Sequence, residues 1–265
     1  MSQEEWLPVG TPMPFEPGGR FKAAGVRSSF VDPGRALAGE ARIVLADIPV
    51  DGREAQRLLP LGLRMQDPPM ARVFVVNYGN AVYTESYNEA SVILRVRSLL
   101  GSGGHVCWMV VDDDTALILG RDLLACPKKL ADIRYEESDG GVSAGVTRRG
   151  TKVLSIEAEI MEAEPSPAPV YGEKAFNVGG PCQALLFNPV WCFRLGEVIH
   201  SSHSARGTIT FEESAYDPLA AVVGRREVDG PLRVAHVDIN RLCYMFPVGI
   251  AGPAWAMRTY DLRFH

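Results

Sequence analysis

Seven runs rich in valine and isoleucine punctuate the chain: "ARIVLADI" (41–48), "ARVFVVNY" (71–78), "SVILRVRSL" (91–99), "HVCWMVVD" (105–112), "TKVLSIEAEI" (151–160), "GTITFEES" (207–214) and "LRVAHVDI" (232–239). Short β-branched runs that often alternate apolar with polar residues read as strands. Helical patterns are few: "GREAQRLL" (52–59) and "DDTALILGRDLL" (113–124). The strand-helix rhythm of a doubly wound parallel sheet is missing. The pattern predicts a mainly β, α+β fold, in which a largely antiparallel sheet is curved or closed around a central cavity. A closed sheet turns alternate residues inward.

Residues 1–39 carry five prolines and several glycines. They are expected to form an extended arm over the surface or a neighbouring subunit, with one domain from 40 to 265. The segment 164–174, "EPSPAPVYGEK", reads as a long loop. A net charge of −5, with arginine and acidic residues interspersed, offers no basic stripe for a nucleic-acid backbone. No apolar run reaches the roughly 18 residues of a membrane span, and the acidic start "MSQEEWLPVG" is unlike a signal peptide. The expected location is the cytoplasm. Five cysteines without CxxC spacing suit reduced thiols there.

Several motifs have bland readings that outweigh the chemical ones. "DDD" at 112–114 falls between a strand and a helix, where Asp caps the first turn. His200 and His203 lack a third ligand at a recognisable spacing, so no metal is expected. "GSGGH" (101–105) lacks the Lys-Ser/Thr of a phosphate loop and reads as a hairpin turn. Cys126 and Cys182 adjoin prolines without a clear base partner and read as small buried residues rather than nucleophiles. There is no GxSxG and no Rossmann fingerprint, and no cofactor is expected.

"GRDLLACPKKLADIRYEE" (120–137) is different. The chain has 22 arginines but five lysines, two of them adjacent at Lys128 and Lys129. A lysine of pKa ~10.4 offers a neutral amine in only about one molecule in 2,500 at pH 7. Retuning it to a pKa of about 6 or 7 takes roughly 5 kcal/mol. A second ammonium at ~6 Å supplies nearly 3 kcal/mol at an effective dielectric of ~20, and desolvation by apolar walls supplies the remainder or more. Adjacent residues of a strand point to opposite faces, so desolvation ranks first and the Lys129 charge second. The alternative reading is a surface Lys-Lys turn.

This segment resembles the active-site stretch of the acetoacetate decarboxylase superfamily, a Gly-Arg-Glu, a short apolar stretch and Pro-Lys-Lys-Leu. "YTES" (83–86) is similar to a second motif of that family at a fitting upstream spacing. The resemblance can be followed from about 40 to 240, and the founding enzyme is itself the standard illustration of a lysine activated in this way. It implies that Lys128 forms a Schiff base, that Lys129 is its electrostatic neighbour, and that Glu85 is the essential carboxylate. Tyr83, Glu85 and Tyr87 share one face by the two-residue period, which fits an acid standing in the cavity between aromatic rings. The family's second active-site glutamate falls near Val73 and is lost. Its Asn-Arg-Glu arginine falls near "GEAR", where Arg42 lies one step out of register. Arg42, with Tyr83, is a candidate to bind the substrate; because one step turns a side chain to the other face, a surface charge is the alternative for Arg42. Beyond the resemblance, Tyr244 in the aromatic tail is a candidate hydroxyl for proton transfer, with packing as its alternative.

An imine makes a ketone into an electron sink. The resemblance implies a lyase acting on a small oxo acid, without nucleic-acid or membrane partners, and a homo-oligomer. With a 3-oxo acid the outcome is decarboxylation. With pyruvate and an aldehyde it is aldol addition and dehydration, which the altered surroundings of the lysine favour slightly. A non-catalytic binder of a small carbonyl compound is the third reading.

Overall fold

A computed structural model describes residues 38–81, 84, 86–179 and 188–264. The arm expected over 1–39 therefore lies almost wholly outside the described residues. In chain order the elements are β1 (Ala38–Pro49), α1 (Gly52–Leu58), β2 (Arg64–Met65), β3 (Met70–Ala81), β4 (Tyr87–Ser98) and β5 (Gly101–Val111). Then come α2 (Asp114–Leu124), β6 (Lys128–Leu130), β7 (Asp132–Ser138), β8 (Gly141–Arg148), β9 (Thr151–Ala163) and β10 (Lys174–Val178). The chain ends with β11 (Asn188–Phe211), α3 (Leu219–Val223), β12 (Glu227–Ala251), α4 (Pro253–Arg258) and α5 (Tyr260–Phe264).

The sheet is closed. Its order runs β10-β5-β4-β3-β1-β12-β11, and β10 also pairs β11, completing the ring. All pairings are antiparallel except β5 with β6 and β10 with β5. A branch leaves the ring where the C-terminal half of β11 pairs β9, and β9, β8 and β7 fold back toward β3 and β4. Strands β1 and β3 are therefore buried on both faces. Ile43, Leu45, Phe74, Val76 and Tyr78 look into the ring, while Val44, Ala46, Val73 and Val75 pack against the branch. Burial on both sides is why these strands read as nearly unbroken apolar runs.

The β5-α2-β6 segment is a small crossover unit joining parallel neighbours. Asp113 caps α2 by accepting from the Ala116 N–H at 2.6 Å, as the "DDD" motif predicts. At the other end Ala125 takes the left-handed conformation, φ 56°, and the Cys126 N–H bonds Gly120 O at 3.1 Å. This tight exit returns the chain to the sheet within two residues of Lys128.

One expectation needs correction. Residues 101–105 are not the turn, which lies at Leu99 and Leu100; they open β5. Their glycines serve a close approach instead, because a Cβ on Gly103 would meet Lys174 O at 2.5 Å, where β10 comes in to close the ring. The tail beyond 240 contributes Arg241, Leu242 and Met245 to the lining of the central cavity. It extends β12 to Ala251 and then packs on the chain's own core, with Trp255 buried and donating to Leu58 O at 2.7 Å. No helix among the described residues is long and apolar enough to cross a membrane.

Candidate active site

Lys128 enters the ring from β6. Its aliphatic stem lies against α2 at Gly120, where a Cβ would come within 2.4 Å of Lys128 Cε and 2.8 Å of Nζ. The glycine of "GRDLLACPKK" is thus a groove for the lysine. Arg121, the next residue, donates to the Lys128 backbone carbonyl at 2.9 Å and holds the strand that carries it. The Lys128 ammonium meets Glu89 Oε2 at 2.7 Å, with 5% and 4% of the two residues accessible. Both charges are thereby removed from water and balance each other. The Tyr87 ring lies 5.5 Å from Nζ and stacks on Tyr78 at 4.8 Å.

This group forms one wall of a cavity of about 1090 Å³. Phe74, Val106, Met109, Leu124 and Ile239 make much of its lining apolar, and Tyr171 enters from the loop between β9 and β10. Cys126 also faces it, but burial pushes its thiol up to about 12, which leaves it protonated and unreactive. Arg72 lines the cavity with its guanidinium engaged by Asp47 and by the carbonyls of Pro169 and Val170.

Lys129 goes the other way. Its ammonium pairs with Asp217, a fully buried carboxylate that also accepts from Trp108 Nε1 at 2.8 Å and has Arg148 at 3.5 Å. Burial outweighs the attraction of Asp217 and pulls the Lys129 pKa down to about 8. The structure therefore does not bring Lys129 into the cavity beside Lys128; the strand alternation separates them.

Glu85 and Tyr83 lie outside the described residues. Arg42 is exposed, on the face of β1 shared with Val44 and Ala46, away from the cavity. The one-residue slip near "GEAR" accounts for this. Tyr244 leans on Phe246, with ring centroids 5.7 Å apart, and packs against the outer core rather than the cavity, as its packing alternative has it. Val73 also faces that outer core, so a glutamate there would not reach the cavity.

Glu89 was missed in the sequence, although its signal is present. The two-residue period that unites Tyr83, Glu85 and Tyr87 continues to Glu89 at the end of "YTESYNE". His200 pairs with Asp238 at 2.9 Å, and among the described residues no group of His, Cys, Asp or Glu is arranged to hold a metal.

Over residues 13–240 the sequence matches the acetoacetate decarboxylase (ADC) family. The chain belongs to that family. The match takes in most of the proline- and glycine-rich segment, beyond the start near 40 that the motifs alone suggest. Acetoacetate decarboxylase from Legionella pneumophila subsp. pneumophila str. Philadelphia 1 is similar in structure, with TM-score 0.68 and 14% identity over 80% of this chain and 86% of that one. The enduracididine biosynthesis enzyme MppR, complexed with pyruvate, gives 0.63 and 14% over 79% and 89%. An acetoacetate decarboxylase-like enzyme from Sphingomonas wittichii RW1 gives 0.64 and 16% over 79% and 91%. No curated protein matches this family member significantly. At these identities the likeness establishes the closed-sheet fold that the decarboxylase family shares.

Proposed function

We propose that the protein is a lysine Schiff-base lyase for a small oxo acid, with Lys128 as the nucleophile and Glu89 as its acid-base partner. The observation that carries this reading is the 2.7 Å contact between two buried, oppositely charged groups in the wall of a cavity. Moving one proton along that contact turns an ammonium and a carboxylate into an amine and a carboxylic acid. The pair then holds both the nucleophile and the acid needed to expel water from the carbinolamine.

We favour pyruvate plus an aldehyde, with aldol addition followed by dehydration. The imine of pyruvate loses a methyl proton to the Glu89 carboxylate, and the resulting enamine attacks the aldehyde. The cavity supports this choice. At about 1090 Å³ it exceeds the roughly 300–1,000 Å³ typical of a pocket for one drug-sized ligand, far more than a three-carbon acid fills. Also supporting it, MppR has been captured with the condensation product of pyruvate and imidazole 4-carboxaldehyde. The family match favours a second reading, decarboxylation of acetoacetate.

Borohydride reduction in the presence of pyruvate tests the shared step. The expected result is a reduced adduct on the Lys128 peptide; an unmodified peptide with either oxo acid refutes the reading and leaves a simple binding cavity. Carbon-carbon bond formation with added aldehydes, measured against carbon dioxide release from acetoacetate, then decides between the two reactions.

A further inference from the structure

The loop 164–173 is framed by charged side chains on several sides. The Glu197 carboxylate accepts from three successive backbone N–H groups, those of Val170 at 3.0 Å, Tyr171 at 2.7 Å and Gly172 at 3.1 Å. Arg72 donates to Pro169 O and Val170 O, Arg194 to Gly172 O at 2.8 Å, and Arg233 to Ala168 O at 2.7 Å. Charge-assisted bonds of this kind are strong and directional, and a connecting loop does not need them merely to cross a surface. What they fix is the placement of Tyr171 in the cavity wall.

The Tyr171 ring meets Phe74 edge-on at 5.9 Å, and its hydroxyl accepts from the Tyr78 hydroxyl at 2.9 Å. A continuous chain of contacts leads from there to the lysine: Tyr78 stacks on Tyr87 at 4.8 Å, and Tyr87 lies 5.5 Å from Lys128 Nζ. Two hydroxyls carry two protons. The bond between them uses that of Tyr78, and no acceptor among the described residues takes that of Tyr171. Burial holds both phenols well above their usual range, so both remain protonated at any working pH. A half-buried donor in the cavity wall, without an acceptor among the described residues, is placed to meet a substrate oxygen in the same cavity.

We infer that the Tyr171 hydroxyl is the proton donor to the oxygen of the aldehyde substrate, with the Tyr78 hydroxyl supporting it from behind. This rests on the Schiff-base reading above. As the enamine carbon bonds to the aldehyde carbon, the π pair of the carbonyl moves onto oxygen, which takes the Tyr171 proton. The Tyr78 hydroxyl then donates to the phenolate until a proton returns from the pool that began on the pyruvate methyl. In the dehydration a second methyl hydrogen leaves as a proton, the carbon-oxygen bond breaks, and the oxygen departs as water. Two protons from the methyl group and one oxygen from the aldehyde account for that water, so neither oxidant nor reductant is required.

Tyr171→Phe keeps the ring against Phe74 and every bond of the loop frame. With pyruvate and benzaldehyde as probes, kcat for the carbon-carbon product is expected to fall roughly 10²- to 10⁴-fold, the range for a lost general acid. Borohydride labelling of Lys128 by pyruvate, and deuterium uptake into the pyruvate methyl group, are expected to stay within about twofold of the wild type. Tyr78→Phe, which leaves the donor in place, is expected to lose less. Full turnover by Tyr171→Phe overturns the inference. So does a parallel loss of labelling, which marks a structural role, or a wild-type protein that labels yet forms no carbon-carbon product with aromatic aldehydes. A wild-type protein that does not label at all removes the Schiff-base reading and this inference with it.

Discussion

Lys128 and Lys129 are consecutive, equally buried and each paired with a carboxylate, yet they occupy opposite sides of one short strand. Around Lys128 the neighbours are a glycine groove, two stacked tyrosines and a cavity. Around Lys129 they are Trp108, Arg148 and a carboxylate with no exposure. Burial and an opposite charge are therefore common to both and do not distinguish a reactive lysine from a structural one. Room for a ketone does. The adjacency that draws the eye in the sequence thus reflects two separate tasks, one on each face of β6.

The sharpest test of that contrast is activity. Lys128→Ala is expected to abolish borohydride labelling and lower turnover roughly 10⁴- to 10⁶-fold, as removal of a covalent nucleophile does. Lys129→Met is expected to retain labelling at Lys128. Should Lys129→Met silence labelling in protein that remains folded, the two faces are coupled and the contrast fails.

Stability is expected to show the reverse order. Removing one partner of a buried ion pair leaves the other without compensation and costs about 3–5 kcal/mol. Lys129→Met or Asp217→Asn is expected to lose an amount of that order in urea denaturation. The pair replacement Lys129→Met with Asp217→Leu is expected to recover much of it, because the uncompensated charge is gone. Losses below about 1 kcal/mol for the single variants would place the Lys129 pair among weak surface-type ion pairs.

Gly120→Ala sharpens the comparison on the Lys128 side alone. The added methyl would overlap the lysine stem at 2.4–2.5 Å, so either the side chain leaves its groove or α2 moves away. Overpacking of this kind costs about 1–3 kcal/mol, against a gain of about 1 kcal/mol from replacing glycine inside a helix. Net stability is expected to change little while the rate of labelling falls at least tenfold, since a misplaced nucleophile loses its approach geometry. Unchanged labelling would show that the groove does not aim the lysine.

Legibility in the sequence followed burial. The ring strands β1, β3, β4 and β5 announced themselves because they pack on both faces, whereas β8, built from small residues, and the five-residue β10 carry little signal. β10 is nonetheless the strand that closes the ring. Lys128 was legible through a motif, and Gly120 within that motif acquires its reason only when α2 is laid against the lysine. Glu89 was hidden by attention to "YTES", although the two-residue period reaches it. Arg42 was misjudged because one residue of register decides which face a strand residue joins. Tyr171 had no local signal at all: its place depends on a loop framed by Glu197, Arg72, Arg194 and Arg233, residues that lie far from it in the chain.

The smallest expected effect is a pH dependence specific to Lys129. Its pKa falls from 10.5 to about 8 on folding, because burial disfavours the ammonium more than Asp217 favours it. Between these values the unfolded chain holds a proton that the folded chain has released, so stability rises with pH across the window from about 8 to 10.5. Below pH 8 both states are protonated and the contribution is flat. The full gain is at most about 3 kcal/mol, and a buried pair that relaxes or admits water will deliver less. Other groups titrate in the same window, so the quantity to measure is the difference in unfolding free energy between wild type and Lys129→Met at successive pH values. That difference is expected to shift in favour of the wild type as pH rises from 8 to 10. A flat difference would mean that the Asp217 attraction balances burial, and that the enclosed side of β6 stabilises its ammonium as well as water does.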